Sequence, residues 1–530
     1  MKPQTVFGGT FVSAPWLNLG QNFKVLARKF PERVAFKDAC KTYTYGEYNK
    51  RVNRLANGLL KLGLKKGDKI SCVMDNQIEI VDLYLATAKT GIVLNPVNFR
   101  LSSKEIEYIV GHCDSKAIFI QQDFLNEIEP IRKNLPKVEH FFCTSESEIK
   151  GYLRYNDLLS DSSESEPVST VEPEDVWVIL YTSGTTGKPK GVVRTHESYT
   201  AFYLINAIDF DYKEDDICLT VMPLCHVNST FFSFAFTYIG ATVYLLSARK
   251  FDPVKIFELI DKEKITFISL IPTHYNLMLS VSEDVRKRYN LSSIRKLLCS
   301  SAPVRRKTKL GIMELFPGVR LYEGYGSTEA GIVTVLKPDE QLNKLGSIGR
   351  ESLGTDFVKL LDENGNEVPV GEVGEIFSRG PMLFKEYYKM PEKTASAFKN
   401  GWFSAGDLGK KDEDGYFYIV DRKDNMIITG GEHVYPSEVE EVICQHPAVM
   451  DCAVIGVQDE KWGEAVKAVV ILKENAKATQ EEIIDFCRSK LASFKRPKTV
   501  DFIKPEEMPR TPTGKILHRL LRARYQKEGQ

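Results

Sequence analysis

The sequence predicts an α/β protein with a large N-terminal part and a small C-terminal α+β part. Strand-like apolar runs alternate with amphipathic helical runs through most of the chain, which is typical of parallel sheets covered by helices. The pattern changes after about residue 421, where loop-like sequence precedes a short mixed segment. A chain of 530 residues is also too long for one ordinary core. We expect two domains, residues 1–421 and residues 422–530.

The elements of the large domain can be read in chain order. Apolar Val52, Leu55 and Leu59 recur at helical spacing within "YTYGEYNKRVNRLANGLLKLGL", and the strand-like run "KISCVMD" follows. "ITFISLIP" precedes the helical "THYNLMLSVS", and "IRKLLCSSAPV" and "VRLYEGYG" each predict a strand that ends in a loop. The polar, acidic stretch from Ser160 to Asp175 predicts a surface loop.

The C-terminal segment predicts a small α+β domain. "DRKDNMIITGGEHVYP" is loop-like, and "SEVEEVICQHP", "DCAVIGV", "EAVKAVVILK" and "TQEEIIDFCRSKLA" follow it. Thr479 and Glu482 form a capping-box pattern at the start of the last of these, which predicts a helix there.

The composition excludes several classes of protein. Lys+Arg and Asp+Glu are both 71, so the chain lacks the excess positive charge on which nucleic-acid and membrane-surface binding depend. It contains no run of about 18 uncharged apolar residues and no secretory pattern at its start. We therefore expect no transmembrane helix and a cytoplasmic location. The ten cysteines include no CxxC pair, which predicts free thiols and argues against a zinc site.

The run "YTSGTTGKPKG", from Tyr181 to Gly191, predicts a phosphate-binding loop after the strand-like "DVWVILY". It does not fit the P-loop NTPase rule, because Thr182 replaces the first glycine and Pro189 replaces the magnesium-binding Ser/Thr. Glycines nevertheless let backbone N–H groups approach an anion, while hydroxyls and lysines add donors and charge. The alternative is a polar turn that binds nothing.

Four further motifs follow that loop in order: "YGSTE" (325–329), "GWFSAGDLG" (401–409), "VDRKDNMIITGGEHVYPSEVE" (420–440) and "PRTPTGKI" (509–516). Together the five closely resemble the signatures of the adenylate-forming superfamily, which includes acyl-CoA synthetases, aryl-CoA ligases, luciferases and peptide-synthetase adenylation domains. Ala405 departs from the usual Thr. The resemblance covers nearly the whole chain.

The resemblance implies a large α/β domain, a mobile C-terminal domain and a two-step reaction. A carboxylate attacks the α-phosphate of ATP, which gives an acyl-adenylate and pyrophosphate, and a thiol then displaces AMP. The implied cofactors are ATP, Mg²⁺ and coenzyme A.

The resemblance also implies roles for individual residues. Thr328 would contact phosphate, Glu329 would hold magnesium, and Tyr325 would stack on adenine. Asp407 and Arg422 would bind the ribose hydroxyls. The phosphates would be held by Thr182, Ser183, Gly184, Thr185, Thr186, Gly187, Lys188 and Lys190, and further nucleotide contacts would come from Ser301, Ala302, Pro303, Glu323 and Gly324.

Lys515 is implied as the catalytic lysine of the first step, bridging the carboxylate and the α-phosphate. Asp424 would be the hinge about which the small domain rotates between the steps. Gly430 and Gly431 would then let a thin pantetheine arm pass. Arg519 and Arg522 are expected to be surface charges.

The sequence defines the acid substrate less closely than it defines the nucleotide contacts. His226, in "VMPLCHVNSTFF", would lie near the carboxylate. Gly324, Gly326, Ala330 and Gly331 are expected to leave space in the acyl pocket.

A medium- or long-chain fatty acid is the first interpretation, and an aryl acid or carnitine/crotonobetaine is the alternative. CoA is the expected acceptor, and a homodimer is left open. A non-catalytic relative that only binds nucleotide or acyl groups is the alternative from another class, although the Lys, Glu and Asp of the motifs argue against it.

Overall fold

The computed structural model describes residues 17–182, 188–247, 249–300, 304–488, 490–511 and 516–527, together with the backbone of 6–7 and 10–11. The helices within these residues are α1 (Leu19–Lys29), α2 (Tyr45–Lys61), α3 (Ile78–Thr90), α4 (Ser103–His112), α5 (Leu125–Ile128), α6 (Tyr155–Ser160), α7 (His196–Asp209), α8 (Val227–Tyr238), α9 (Pro253–Glu263), α10 (Pro272–Ser280), α11 (Glu283–Arg286), α12 (Arg306–Leu315), α13 (Pro391–Ser396), α14 (Pro436–Ile443), α15 (Gln480–Arg488) and α16 (His518–Lys527).

The strands up to residue 336 are β1 (Val6–Phe7), β2 (Thr10–Phe11), β3 (Val34–Lys37), β4 (Thr42–Thr44), β5 (Lys69–Val73), β6 (Val93–Val97), β7 (Ser115–Ile120), β8 (His140–Cys143), β9 (Leu153–Arg154), β10 (Val176–Thr182), β11 (Lys190–Thr195), β12 (Ile217–Thr220), β13 (Thr242–Leu245), β14 (Phe267–Leu270), β15 (Lys296–Ser300), β16 (Arg320–Ser327) and β17 (Gly331–Leu336).

The later strands are β18 (Arg350–Glu351), β19 (Lys359–Leu361), β20 (Gly374–Ser378), β21 (Glu386–Tyr387), β22 (Phe398–Lys399), β23 (Trp402–Lys411), β24 (Phe417–Arg422), β25 (Ile427–Thr429), β26 (Glu432–Val434), β27 (Val449–Asp459), β28 (Gly463–Leu472) and β29 (Thr499–Phe502).

Two large sheets with parallel interiors form most of the N-terminal part, which confirms the predicted α/β class. Across the described ranges, one sheet has the order β21-β11-β10-β6-β5-β7-β8-β9 and the other β18-β17-β16-β15-β14-β12-β13-β3-β4. Helices α1, α2, α3, α7 and α8 lie between the sheets and share with them the largest buried apolar cluster. Helices α9, α10 and α12 cover the other face of the second sheet.

The helix predicted around Val52 is α2, and its amphipathic sequence explains its position. Val52, Leu55 and Leu59 are fully buried, and the side chains of Thr44 and Glu47 form a capping box at its start. The polar loop predicted from Ser160 to Asp175 follows α6, and its Glu164 and Glu166 bond to side chains of α2.

A third sheet, between residues 359 and 422, was not assigned from the sequence. It pairs β19, β20, β23 and β22 in antiparallel fashion, with β24 on β23. Most of its strands are short and separated by turns, so they give little periodic signal.

The C-terminal part is α+β, as predicted. Strands β26, β25, β28 and β27 form a sheet with β29 on β28. Helices α14 and α15 pack on one face of it, and α16 packs on the other. Thr479 and Glu482 exchange hydrogen bonds in the predicted capping box.

The prediction of a loop throughout "DRKDNMIITGGEHVYP" is wrong in one part. Residues 427–434 form the hairpin β25–β26, with Gly430 and Gly431 at its turn. Both glycines have positive φ, at 59° and 86°, which is the backbone conformation that a tight two-residue hairpin turn needs.

In the part of the chain that the structure describes, no helix is both long enough and apolar enough to cross a membrane.

Candidate active site

Several strand ends carrying the sequence motifs border one region of the large domain. The glycine-rich loop joins β10 to the antiparallel β11, with Thr182 paired to Lys190. Ser300 ends β15, and the neighbouring β16 runs from Arg320 to Ser327 into the Thr328–Glu329 turn.

Three groups of predicted site residues lie outside the described residues. They are Ser183 to Gly187 of the phosphate loop, Ser301 to Pro303, and the catalytic lysine Lys515.

The predicted ribose site is assembled around one carboxylate. The hydroxyl of Tyr325 donates to Oδ2 of Asp407 at 2.7 Å, and Nε of Arg422 lies 2.6 Å from Oδ1. The Arg422 guanidinium also donates to the carbonyl of Ala405. Asp407 and Arg422 are directly opposite each other in the β23–β24 pair, so the antiparallel sheet explains how two motifs meet.

The Thr328–Glu329 turn is fixed from two sides. The hydroxyl of Tyr387 donates to Oε1 of Glu329 at 2.8 Å, which leaves Oε2 for another ligand. Nη1 of Arg194 donates to the carbonyls of Thr328 and Glu329 at 3.1 and 3.2 Å.

Sequence reasoning missed Arg194, although an arginine in the apolar strand "GVVRT" is an unusual residue there. Its side chain is fully buried, and burial lowers its pKa to about 10. The guanidinium lies 5.2 Å from the ring centres of both Tyr199 in α7 and Phe231 in α8. Arg194 thus joins the helices beside the predicted acyl pocket to the predicted phosphate and metal turn.

The lysines of the phosphate loop occupy different environments. Lys190 lies 4.2 Å from the ring centre of Tyr387, and burial lowers its pKa while the nearby charge of Glu329 opposes this shift. Lys188 is exposed and lies 5.7 Å from the ring centre of Tyr108. Lys190 is therefore next to the predicted metal ligand, whereas Lys188 faces solvent.

His226 caps the start of α8, where its Nδ1 accepts from the backbone N–H of Asn228. Burial lowers the pKa of His226 to about 4, so the ring is neutral near pH 7. The side chain of Asn228 donates to Ser300 at 2.8 Å. The α8 terminus is thereby tied to the end of β15.

Glu323 points its carboxylate into the protein, where it is ion-paired with the fully buried Lys309 of α12. Burial raises the pKa of Glu323 to about 7, and the charge of Lys309 opposes that shift. The side chain therefore contributes to the fold, and a nucleotide contact at this position would have to use the backbone.

The small residues predicted to line the acyl pocket are closely packed in the direction that a side chain would take. A Cβ on Gly324 would meet Ile332 at 3.2 Å, Leu298 at 3.6 Å and Phe210 at 3.8 Å. A Cβ on Gly326 would lie 1.9 Å from the carbonyl oxygen of Gly331. Ala330 packs in a buried apolar cluster. These small residues therefore allow close packing of the β16–β17 hairpin.

Aromatic side chains fill the interior beyond that hairpin. Phe202 of α7 stacks on Phe231 of α8 with ring centres 3.9 Å apart, and Phe210 packs edge-on to Phe232 at 6.0 Å. All four rings are buried. All four belong to the largest buried apolar cluster.

Side chains bond to the backbone at and near the predicted hinge residue Asp424. Arg522 of α16 donates to the carbonyls of Asp424 and Asn425 at 3.1 and 3.2 Å, so the expectation that Arg522 is only a surface charge is wrong. Asp421 accepts from the backbone N–H of Ser437 at the start of α14. Arg519 is exposed, as expected.

The turn of Gly430 and Gly431 is adjacent to Trp462. A Cβ on Gly430 would lie 2.8 Å from the indole, whereas one on Gly431 would meet no atom within 4 Å. A side chain is therefore excluded at Gly430 by packing and at both positions by positive φ.

The chain matches two family models and several known proteins over most of its length. A family model for the AMP-binding enzyme matches residues 23–388, and one for the AMP-binding enzyme C-terminal domain matches residues 438–515. The chain is 36% identical to a feruloyl-CoA synthase of Amycolatopsis sp, over 94% of this chain and 97% of that protein. It is 35% identical to the long-chain-fatty-acid–CoA ligase FadD13 of Mycobacterium tuberculosis, over 91% and 93% respectively.

Among solved structures, the anthranilate CoA ligase AuaEII in complex with anthranoyl-AMP superposes with a TM-score of 0.88. The two chains are 29% identical, and the match covers 97% of this chain and 98% of that one. The chain belongs to the AMP-binding enzyme family. Within it, the chain is an AMP-forming acyl-CoA synthetase, which joins a carboxylic acid to CoA through an acyl-adenylate.

Proposed function

We propose that this chain activates a compact apolar acid, either a medium-chain aliphatic acid or a one-ring aryl acid, at the site around Asp407, Glu329 and His226. The observation that carries the choice of acid is the close packing around Gly324, where an added Cβ would meet Ile332 at 3.2 Å, Leu298 at 3.6 Å and Phe210 at 3.8 Å. A long alkyl chain would require several of these buried side chains to move. Two relatives are named for an aryl acid and for long-chain fatty acids respectively, so their names leave both classes of acid open.

The nucleotide contacts proposed here rest on the carboxylate of Asp407. An ionised carboxylate accepts from a diol, and Arg422 and Tyr325 already hold this one in a fixed direction. Lys190 and the glycine-rich loop would contact the phosphates, and Thr328 would add a hydroxyl donor.

The chemistry of Glu329 fits a magnesium ion. Mg²⁺ in nucleotide sites is commonly bound by one or two carboxylates together with phosphate oxygens and waters. Oε2 of Glu329 is free of the Tyr387 bond, and no group of three or more potential metal-binding side chains occurs among the described residues. Glu329 would therefore hold the ion with the phosphates, and the ion would supply charge neutralisation there.

His226 would act without gaining a proton. Its pKa is lowered to about 4 by burial, so the neutral ring can orient the carboxylate of the acid by a hydrogen bond and would not serve as a cationic anchor. Lys515 would supply the positive charge between the carboxylate and the α-phosphate.

The test of the acid is pyrophosphate release with ATP and magnesium, with and without CoA. The panel would contain butyrate, octanoate, palmitate, benzoate, coumarate, crotonobetaine and carnitine. We expect the highest kcat/KM with octanoate or an aryl acid. A higher kcat/KM with palmitate would refute the compact pocket while leaving the ligase activity intact.

A variant pair makes this test specific. Ile332→Ala should open the space beside Gly324 and move the preference toward longer acids. Val333→Ala is the matched control, because Val333 is the next residue of the same strand and packs in a different cluster. Equal effects of the two substitutions on the acid preference would contradict the assignment of Ile332.

A further inference from the structure

Two cysteines of the small domain have their sulphur atoms in contact. Cys444 follows α14 as its C-cap, and Cys452 lies in β27. Their Sγ atoms are 3.4 Å apart. A disulfide has an S–S distance of about 2.05 Å, so closure needs an approach of about 1.4 Å.

The local backbone can accommodate such an approach. Cys444 lies just beyond the last residue of α14 and outside the regular helix. The register of β27 against β28 shifts between Val449 and Asp451, immediately before Cys452. Side-chain rotation at the helix end and at the bulge can therefore supply the movement.

The two thiols differ in exposure and in chemistry. Cys444 is half-buried and reachable, whereas Cys452 is buried. The hydrogen bond from the Cys452 thiol, together with the charge of Arg305, lowers the pKa of Cys444, and the same hydrogen bond and burial raise that of Cys452. This is the asymmetry of an attacking and a resolving thiol.

The other described cysteines lack this combination. Cys72, Cys113 and Cys218 are buried with raised pKa values. Cys40 is exposed. The chain thus offers a matched control, an accessible thiol outside the pair.

We propose that Cys444 and Cys452 form a reversible dithiol/disulfide pair, a redox-modification site on the small domain that small-molecule disulfides oxidise. The Cys444 thiolate attacks one sulphur of the small disulfide, and one thiol leaves with its electron pair and a proton. The Cys452 thiol then loses its proton and attacks Sγ of Cys444, which releases the second thiol. The protein loses two electrons and two protons, and one small disulfide becomes two thiols.

Oxidation would also change a contact with the large domain. Arg305, at the start of α12, is close enough to Cys444 for each to shift the other's pKa. A disulfide would remove the Cys444 thiol that hydrogen-bonds with Arg305, while the nearby charge of Asp451 would remain. If the small domain rotates between the two steps, as the proposed function requires, oxidation would alter the balance of adenylation and thioester formation.

The experiment uses the full chain equilibrated with reduced and oxidised glutathione at graded ratios. Acid quenching, alkylation of free thiols and peptide mapping should show loss of two thiols from the peptides that contain Cys444 and Cys452, reversed by dithiothreitol. Cys444→Ser and Cys452→Ser should each abolish the disulfide, whereas Cys40→Ser should leave it unchanged. Full alkylation of both cysteines at every ratio, or glutathione retained on Cys444 of the unsubstituted chain, would overturn the proposal.

A separate measurement tests the contact between Cys444 and Arg305. The ratio of CoA-independent pyrophosphate release to CoA-dependent thioester formation should change by about threefold on oxidation, the scale of one typical hydrogen bond. Arg305→Met should produce the same change in the reduced enzyme. An unchanged ratio with a formed disulfide would refute the effect on catalysis. Because thiol mapping needs no activity, failure of the ligase assignment would be seen separately.

Discussion

Asp407 is held by two partners, the hydroxyl of Tyr325 and the guanidinium of Arg422, each within 2.7 Å. Both partners come from other motifs, so one carboxylate links strands β16, β23 and β24. Its charge, more than its shape, is what a ribose diol would require.

Asp407→Asn should raise the KM for ATP and lower kcat/KM for ATP by about 10- to 150-fold, because hydrogen bonds to a charged acceptor contribute about 1.5–3 kcal/mol. Steady-state pyrophosphate release with varied ATP measures the change. Tyr325→Phe is the control that removes one neutral donor, and we expect a smaller loss. An equal loss of affinity for ATP and CoA would contradict a ribose role.

His196 supplies a pH-dependent term in stability. It is 1% exposed, stacks on Trp177, and burial lowers its pKa to about 3. The unfolded chain binds a proton below about pH 6.5 whereas the fold does not, so the stability from His196 is present above that pH and is lost as the pH falls toward 3.

We expect this single group to reduce the free energy of unfolding by about 1.4 kcal/mol between pH 7.5 and pH 5.5. His196→Phe keeps an aromatic ring but cannot titrate. The decrease in its free energy of unfolding over the same interval should therefore be smaller by about 1.4 kcal/mol. Urea unfolding at the two pH values, followed by tryptophan fluorescence, measures the difference. The same pH dependence in both proteins would show that His196 does not titrate in this range.

At the scale of elements, the hairpin β16–β17 carries the Thr328–Glu329 turn, and Gly326 permits its close backbone contact. A Cβ there would lie 1.9 Å from the carbonyl oxygen of Gly331. Gly326→Ala should therefore destabilise the protein by about 1–3 kcal/mol or more through overpacking. It should also disturb adenylation.

Thermal unfolding and pyrophosphate release measure these two effects. Gly111→Ala in α4 is the matched control, because a Cβ there has its nearest neighbour at 4.0 Å. We expect that control to be neutral or slightly stabilising. Comparable loss in both variants would mean that the close contact at Gly326 is not the cause.

The elements differ in how far sequence could predict them. Helix α2 has a strong helical periodicity and strand β5 is a short apolar run, and the burial of both agrees with these patterns. The antiparallel sheet and the hairpin at Gly430 and Gly431 gave no such pattern, because short strands take their stability from pairing partners elsewhere in the chain.

The candidate site likewise has features that the sequence could predict and features that it could not. The family resemblance predicted that Asp407 and Arg422 lie close together, because it implies that both bind the ribose hydroxyls. It could not reveal Arg194, which contacts carbonyls 134 residues away, or Arg522, which contacts Asp424 from α16 98 residues away. Contacts to backbone carbonyls depend on the assembled fold and leave no local pattern.

At the scale of the whole molecule, the proposed cycle needs Lys515 for the first step only. Lys515→Ala should lower adenylation by about 10²–10³-fold, because an aimed charge in the transition state is lost. Conversion of a supplied acyl-adenylate and CoA to thioester should remain. Arg519→Ala, an exposed neighbour, should change neither half-reaction, and equal loss of both in Lys515→Ala would refute rotation between two states.

The bonds of Asp407 have a consequence for product release. Both carboxylate oxygens of Asp407 have partners in Tyr325 and Arg422, so a ribose bound as proposed would exchange with these partners or share the carboxylate with them. The same partners stand ready when AMP departs. On the proposed function, restoring these contacts would offset part of the interaction lost with AMP, which would lower the affinity for the product and favour its release.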